Sequence, residues 1–132
     1  MPDRRRHDRH LALAASLLIA APDPARAAGD SGGTTHDLAA RLGAAMQRCW
    51  FAGGDRHFGD YVYSPEPNAS GGPRILVVPR TVPDGRPVLV IEIREVDGRP
   101  HINVYGPLAT GPVAERVAAD LRRWLDGGEG CA

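Results

Sequence analysis

Two segments of the chain carry apolar residues at the spacing of an amphipathic helix. The first begins after Thr34 and Thr35, either of which can cap a helix, and stops before Gly53, so it predicts a helix over residues 36–50. The second begins near Pro112, a residue suited to the first helical position, and stops at the glycine pair 127–128. The apolar stripes are Leu38, Leu42, Ala45, Met46 and Cys49 in the first helix, and Val113, Val117, Leu121, Trp124 and Leu125 in the second.

Between the helices, the pattern predicts three or four antiparallel strands. Residues 57–63 are aromatic and β-prone, residues 75–78 form an apolar run, and residues 87–96 form the strongest strand. Asp97-Gly98 then predicts a two-residue type I′ turn, so residues 99–105 should return beside the preceding strand.

The two-residue turn sets the register of this hairpin, because it pairs Val96 with Arg99 and Ile93 with Ile102. Side chains alternate between the two faces of a strand, so one face of the hairpin is apolar and the other polar. The apolar face, which should meet the core, holds Leu89, Ile91, Ile93, Ile102 and Val104. The polar face holds Glu92, Arg94, His101, Asn103 and Tyr105, joined by Val90.

Together these elements predict an α+β fold with two layers. An N-terminal helix, a three- to four-stranded antiparallel sheet and a C-terminal helix follow one another, with both helices on one face of the sheet.

The start of the chain has the pattern of a cleavable secretory signal. An arginine-rich segment precedes the uncharged run Leu11–Ala21, which is shorter than the about 20 residues of a membrane span. Ala25-Arg26-Ala27 fits a signal peptidase, which predicts a signal peptide over residues 1–27 cleaved between Ala27 and Ala28. We then expect a flexible leader, 28–34, and a single domain, 35–132, in a periplasmic or secreted protein with no stable membrane insertion.

The charge of the exported part argues against nucleic acid as a partner. Residues 28–132 hold 11 arginines and 13 acidic residues, so the domain is mildly acidic and has no electrostatic reason to bind a polyanion.

The chain has 2 cysteines, Cys49 and Cys131, and they belong to no redox or metal-binding motif. In an oxidising compartment such an isolated pair usually bonds, so we predict a disulfide between them. On the chain-entropy model, closing so long a loop stabilises the fold by about 4 kcal/mol.

The polar face of the hairpin is the first candidate for chemistry. Glu92, His101 and Asn103, with Arg94 and Tyr105, could bind a ligand or move a proton. The alternative, which we favour, is a solvated sheet face held by cross-strand pairs.

Two further sets are weaker candidates. Asp55, His57 and Asp60, with His36, could be metal ligands but match no tight spacing. Arg74, Arg80 and Arg86 flank the second strand and could bind carboxylate or phosphate, although Asp84, Glu92 and Glu95 can neutralise them. We therefore predict neither a metal nor a cofactor.

The helix end Gln47-Arg48-Cys49-Trp50, followed by a small sheet and a last helix, resembles the C-terminal domain of the TolA/TonB envelope proteins. The chain also resembles the many small exported proteobacterial proteins. The TolA/TonB resemblance implies a protein-binding module of the cell envelope that works through strand addition at a sheet edge.

No nucleophile-elbow, P-loop, dinucleotide-binding or zinc-protease motif occurs in the sequence, which lowers the expectation of catalysis. The leading hypothesis is a non-catalytic accessory or protein-binding module whose partner is an envelope protein, with its oligomeric state open. The alternative is a small periplasmic hydrolase or ligand-binding protein that uses the polar hairpin face.

Overall fold

A computed structural model describes residues 34–132. The predicted signal peptide, the cleavage site between Ala27 and Ala28, and residues 28–33 lie outside the described residues. The helices are α1 (Thr35–Met46), which continues as a π-helical turn (Gln47–Phe51), and α2 (Ala114–Leu125). The strands between them are β1 (Tyr61–Glu66), β2 (Arg74–Pro79), β3 (Leu89–Val96) and β4 (Arg99–Tyr105), with a 3₁₀ turn (Pro107–Ala109) after β4.

Helix α1 begins with a reciprocal cap. Thr34 Oγ1 accepts a hydrogen bond from the Asp37 N–H over 3.1 Å, and the Asp37 carboxylate accepts one from the Thr34 N–H over 3.0 Å. These bonds from Thr34 hold the pKa of Asp37 below its ordinary value. Thr34, the last residue of the predicted leader, is thus the residue that starts the helix.

The end of α1 widens into a π-helical turn that the apolar periodicity did not indicate. The Ala52 N–H donates to the Gln47 carbonyl over 2.7 Å, and the turn directs Cys49 and Trp50 into the core. The prediction of a helix over residues 36–50 is therefore confirmed in its extent. The last turn of the observed helix, however, has π-helical and not α-helical hydrogen bonds.

The four strands form one antiparallel sheet in the order β1-β2-β3-β4. The predicted hairpin register is confirmed, with Val96 opposite Arg99 and Ile93 opposite Ile102. Asp97 and Gly98 have φ of 51° and 73°, as a type I′ turn requires.

The first strand lies later in the chain than predicted. Residues 57–60 form turns, because Phe58 leaves the strand direction to stack on Trp50 in the core, with ring centroids 4.4 Å apart. The strand instead runs through Pro65 to Glu66, beyond residue 63 where it was predicted to end. Pro65 is tolerated because β1 is an edge strand.

Both helices cover the same face of the sheet, which confirms the two-layer prediction. The inward side chains of β2 and β3 meet α1 and α2 in one apolar cluster, and its aromatic centre is formed by Trp50, Phe58 and Trp124. The cluster also includes Leu38, Leu42, Met46, Ile75, Val77, Leu89, Ile91, Ile93, Val117 and Leu121.

The chain ends in a strap across the two helices. Cys49 and Cys131 are bonded, with an S–S distance of 2.01 Å and Cα atoms 5.3 Å apart, so the predicted disulfide is present. The Gly130 carbonyl accepts from Trp124 Nε1 over 3.0 Å, and the Glu129 carbonyl accepts from Arg48 over 2.7 Å. None of the helices in residues 34–132 has the length and apolarity needed to cross a bilayer.

Candidate functional site

Three of the five residues of the predicted polar face contact one another. The Tyr105 hydroxyl donates to Glu92 Oε1 over 3.0 Å, and Arg94 lies 3.3 Å from Glu92 Oε2. The hydrogen bond from Tyr105 is the largest cause that lowers the pKa of Glu92, and the same bond raises the pKa of Tyr105. The pair is thereby fixed as a carboxylate and a neutral phenol, so neither group is tuned to exchange a proton near neutral pH.

The other two residues of that face lie opposite members of this cluster. His101 lies opposite Arg94 and is exposed. Asn103 lies opposite Glu92, and a hydrogen bond from its side chain also lowers the pKa of Glu92. Within residues 34–132, no side-chain hydrogen bond joins His101 to an acid or a nucleophile. The polar face therefore lacks the contact that a hydrolase would need between a base and its nucleophile.

Of the candidate metal ligands, Asp55 is used for other contacts. Asp55 forms an ion pair with Arg116 over 2.8 Å and also accepts from the His57 backbone N–H over 2.9 Å. His36 lies in the first turn of α1. In the part of the chain that the structure describes, no group of three or more His, Cys, Asp or Glu side chains is placed to hold a metal ion.

The three candidate arginines do not form one cluster. Arg74 is paired with Glu66, whose Oε2 lies 2.8 Å from Arg74 Nε. Arg80 donates to the Gly59 and Tyr61 carbonyls and so fastens the turn before β1. Arg86 lies in the loop before β3 and is exposed.

Sequence reasoning missed the exposed edge of the sheet at β4. In an antiparallel hairpin closed by a two-residue turn, the pair next to the turn is hydrogen-bonded and the pairs alternate from there. Arg99, His101 and Asn103 therefore bond inward to β3. A second observation agrees with this assignment. The Ile93 N–H donates to the Pro73 carbonyl over 3.0 Å, so the backbone groups of Ile93 point toward β2. The backbone groups of the residues on either side of Ile93 therefore point toward β4.

It follows that Ile102 and Val104 present their N–H and C=O groups to the free edge. Pro100 has the same orientation, and because it lacks an N–H it interrupts this row of donors near the turn. The free edge thus offers two complete pairs of backbone donors and acceptors, at Ile102 and Val104.

Beneath this free edge lies an apolar groove of about 380 Å³ between β4 and α2. Its walls are almost entirely aliphatic, and Arg122 is the one charged side chain that lines it. The lining residues are Ile102, Val104, Ala109, Ala114, Val117, Ala118, Leu121, Arg122 and Leu125.

The opposite edge of the sheet leaves less space beside its helix. Tyr61 and Tyr63 of β1 turn toward the helices and pack against the core. Tyr63 lies directly over Gly43 of α1, where a Cβ atom would collide with the tyrosine hydroxyl. The two edges therefore differ in size of opening, because the pocket between α1 and β1 has a volume of about 120 Å³ and the groove between α2 and β4 one of about 380 Å³.

A buried carboxylate was also missed by sequence reasoning. Asp120 is fully buried, accepts from Trp50 Nε1 over 2.8 Å and from Arg116 Nε over 2.7 Å, and pairs with Arg123 over 2.9 Å. A signal was available, because Asp120 follows Val117 by three residues and so lies on the apolar stripe of α2. Every oxygen of this carboxylate has a donor, and this arrangement is structural.

No protein-family model, curated protein or solved structure matches the chain.

Proposed function

We propose that this protein is an exported, non-catalytic protein-binding module of the cell envelope, which captures an extended segment of its partner by adding it to the sheet beside β4. The observation that carries the proposal is the free edge of β4 above an apolar groove. Strand addition needs both features, since the backbone gives affinity and the pockets for alternate side chains give specificity.

The backbone geometry limits how much of the partner can be held. Ile102 and Val104 each offer one donor and one acceptor, whereas Pro100 offers only an acceptor. The paired segment is therefore short, on the order of five residues, which is close to the usual length of a strand.

The side chains of the partner follow from the same register. Residues opposite Ile102 and Val104 point to the same face as these two, which is the face over the groove. The partner segment should thus carry apolar side chains at two positions separated by one residue. An acidic residue near the end that approaches Arg122 would complement the charged group in the groove.

One observation supports the export part of the proposal. A disulfide between Cys49 and Cys131 persists in an oxidising compartment and is rare in the cytosol. The envelope part rests on the resemblance proposed above for Gln47-Arg48-Cys49-Trp50, which implies the same mode of binding.

The decisive experiment is a selection of random peptides on the oxidised protein, followed by NMR mapping of the selected peptides. We expect sequences with alternating apolar residues, and amide shifts concentrated at residues 101–105 and on the groove side of α2. Selected peptides that shift β1 or the polar face instead would refute the proposal.

A matched pair of variants locates the binding. Ala118→Arg introduces a long charged side chain into the groove, whereas Ala119→Arg adds the same side chain to an exposed neighbouring position outside it. We expect Ala118→Arg to weaken binding at least about tenfold and Ala119→Arg to leave it unchanged. Equal losses, or none, would place the peptide elsewhere.

A further inference from the structure

We propose a second binding site on the face of the sheet that the helices leave free, which takes a ligand with an apolar body and a single carboxylate. The site is a groove of about 420 Å³ between the loop that precedes β3 and the end of β4. Leu76 and Val90 form its floor, Pro87 and Tyr105 stand at its sides, and Arg74 and Arg86 also line it. It is separate from the β4–α2 groove, which lies on the helix side.

The walls of this groove are held by backbone contacts. Gly106 has a φ of 119°, and a Cβ atom there would come 2.6 Å from the Val88 carbonyl oxygen. The same carbonyl accepts from the Leu108 N–H over 2.9 Å, and the Gly85 N–H donates to the Val82 carbonyl over 2.8 Å. The groove is thus formed before any ligand arrives, which reduces the ordering cost of binding.

Of the two arginines that line this groove, one has no ion-pair partner among residues 34–132. Arg74 is paired with Glu66, and Arg94 is paired with Glu92, which also accepts from Tyr105. Arg86 forms no ion pair with any carboxylate in residues 34–132, including the nearby Asp84. One singly charged anion would therefore balance this arginine.

The chemistry of the ligand follows from the lining. The planar guanidinium of Arg86 can bind a carboxylate through two parallel hydrogen bonds. The aliphatic floor and the Tyr105 ring, which is 43 % exposed, would cover an apolar body. An inorganic anion has no apolar body and would leave the aliphatic floor in contact with water. A dianion would carry more negative charge than the single unpaired arginine can balance.

The test uses hexanoate as the probe, with hexanamide as its neutral analogue and acetate as the anion without the apolar body. NMR titration of the oxidised protein should give saturable shifts at Leu76, Val90 and Tyr105 with hexanoate. Binding of hexanamide or acetate should be at least about tenfold weaker. Equal binding of hexanoate and hexanamide, or shifts that never saturate, would overturn the proposal.

Two arginine variants provide the matched control. Arg86→Gln should weaken hexanoate binding at least about tenfold, because it removes the unpaired guanidinium. Arg80→Gln removes a guanidinium that faces the Gly59 and Tyr61 carbonyls and should leave the affinity unchanged. Retention of full affinity by Arg86→Gln would exclude the assigned role. Ala118→Arg should still bind hexanoate, so this outcome is independent of peptide capture at β4.

Discussion

The indole N–H of Trp50 donates to the Oδ2 atom of Asp120 over 2.8 Å, and this bond joins the end of α1 to the middle of α2 inside the core. The same carboxylate oxygen accepts from Arg116, and the other oxygen pairs with Arg123. A buried charge is costly unless it is paired and hydrogen-bonded, and here three donors meet that condition.

Removal of this carboxylate should destabilise the protein severely. Asp120→Ala leaves the buried Trp50 N–H without its acceptor and removes a carboxylate partner from both Arg116 and Arg123, so we expect a loss of about 3–5 kcal/mol in the free energy of unfolding. Urea denaturation would measure this loss. The control is Asp126→Ala at the exposed end of α2, which should change stability by no more than about 0.5 kcal/mol. A mild effect of Asp120→Ala would contradict the structural role.

The same carboxylate should govern the response to acid. Burial raises the pKa of Asp120, but the hydrogen bonds from Trp50, Arg116 and Arg123 outweigh it and hold the pKa below its ordinary value of 3.8. Because the folded state binds this proton less readily than the unfolded state, the stabilisation is complete above the unfolded pKa. It is lost as the pH falls from that value through the folded pKa.

We therefore expect the urea midpoint of the wild-type protein to fall as the pH is lowered through about 4 toward about 2. Asp120→Asn should start from a lower midpoint and show a shallower acid decline. Parallel pH profiles for the two proteins would assign the acid response to other carboxyl groups, such as Asp37, whose pKa is also lowered.

The disulfide should account for a large part of the remaining stability. It closes a loop across a sequence separation of 82 residues, for which the chain-entropy model gives about 4 kcal/mol. Reduction of the wild-type protein should lower the urea midpoint accordingly. The double variant Cys49→Ala/Cys131→Ala should start near that lower midpoint and not respond to reductant, and thiol titration of the denatured wild type should find no free cysteine.

Helices and sheet could be predicted because each element repeats its own pattern. The register of the hairpin β3–β4 was predicted correctly, since Asp97-Gly98 sets a turn that allows one register and the apolar alternation agrees with it, although β3 begins at Leu89 and not at residue 87. Phe58 was wrongly assigned to a strand, because the sequence pattern of an aromatic residue in a β-prone segment is the same whether its side chain lies in a sheet or stacks on Trp50. Only the tertiary structure distinguishes these cases.

The candidate sites were harder to predict for a related reason. The polar face could be deduced from alternation along two strands that are adjacent in sequence. The β4–α2 groove depends on the distance between α2 and the edge of the sheet. The spacing of apolar residues within α2 or β4 does not determine that distance. Asp120 could have been noticed from its place on the apolar stripe, but one of its three donors, Trp50, lies at the end of the other helix.

Gly43 should not accept a side chain, although alanine normally favours a helix by about 1 kcal/mol over glycine. A Cβ atom at this position would collide with the Tyr63 hydroxyl, so Gly43→Ala should lower stability by about 1–3 kcal/mol. Tyr63→Phe removes the oxygen atom, so adding Gly43→Ala in that background should cost much less. Equal costs in both backgrounds, measured by urea denaturation, would contradict the close packing of α1 below β1.

Proline substitutions along β4 test which backbone groups face the free edge. Val104→Pro removes an N–H that points outward, as Pro100 already does, so the pairing with β3 should survive and the fold should stay stable. Asn103→Pro removes an N–H that bonds to β3, and it should cost about 3 kcal/mol or more. Peptides selected on the wild type should bind Val104→Pro more weakly. The control is Val104→Ala, which loses the valine side chain but keeps the N–H, so the difference in affinity between the two variants measures the effect of the lost donor. If Val104→Pro destabilised the protein as much as Asn103→Pro, the assignment of Ile102 and Val104 to the free edge would be wrong, and strand addition at β4 would lose its basis.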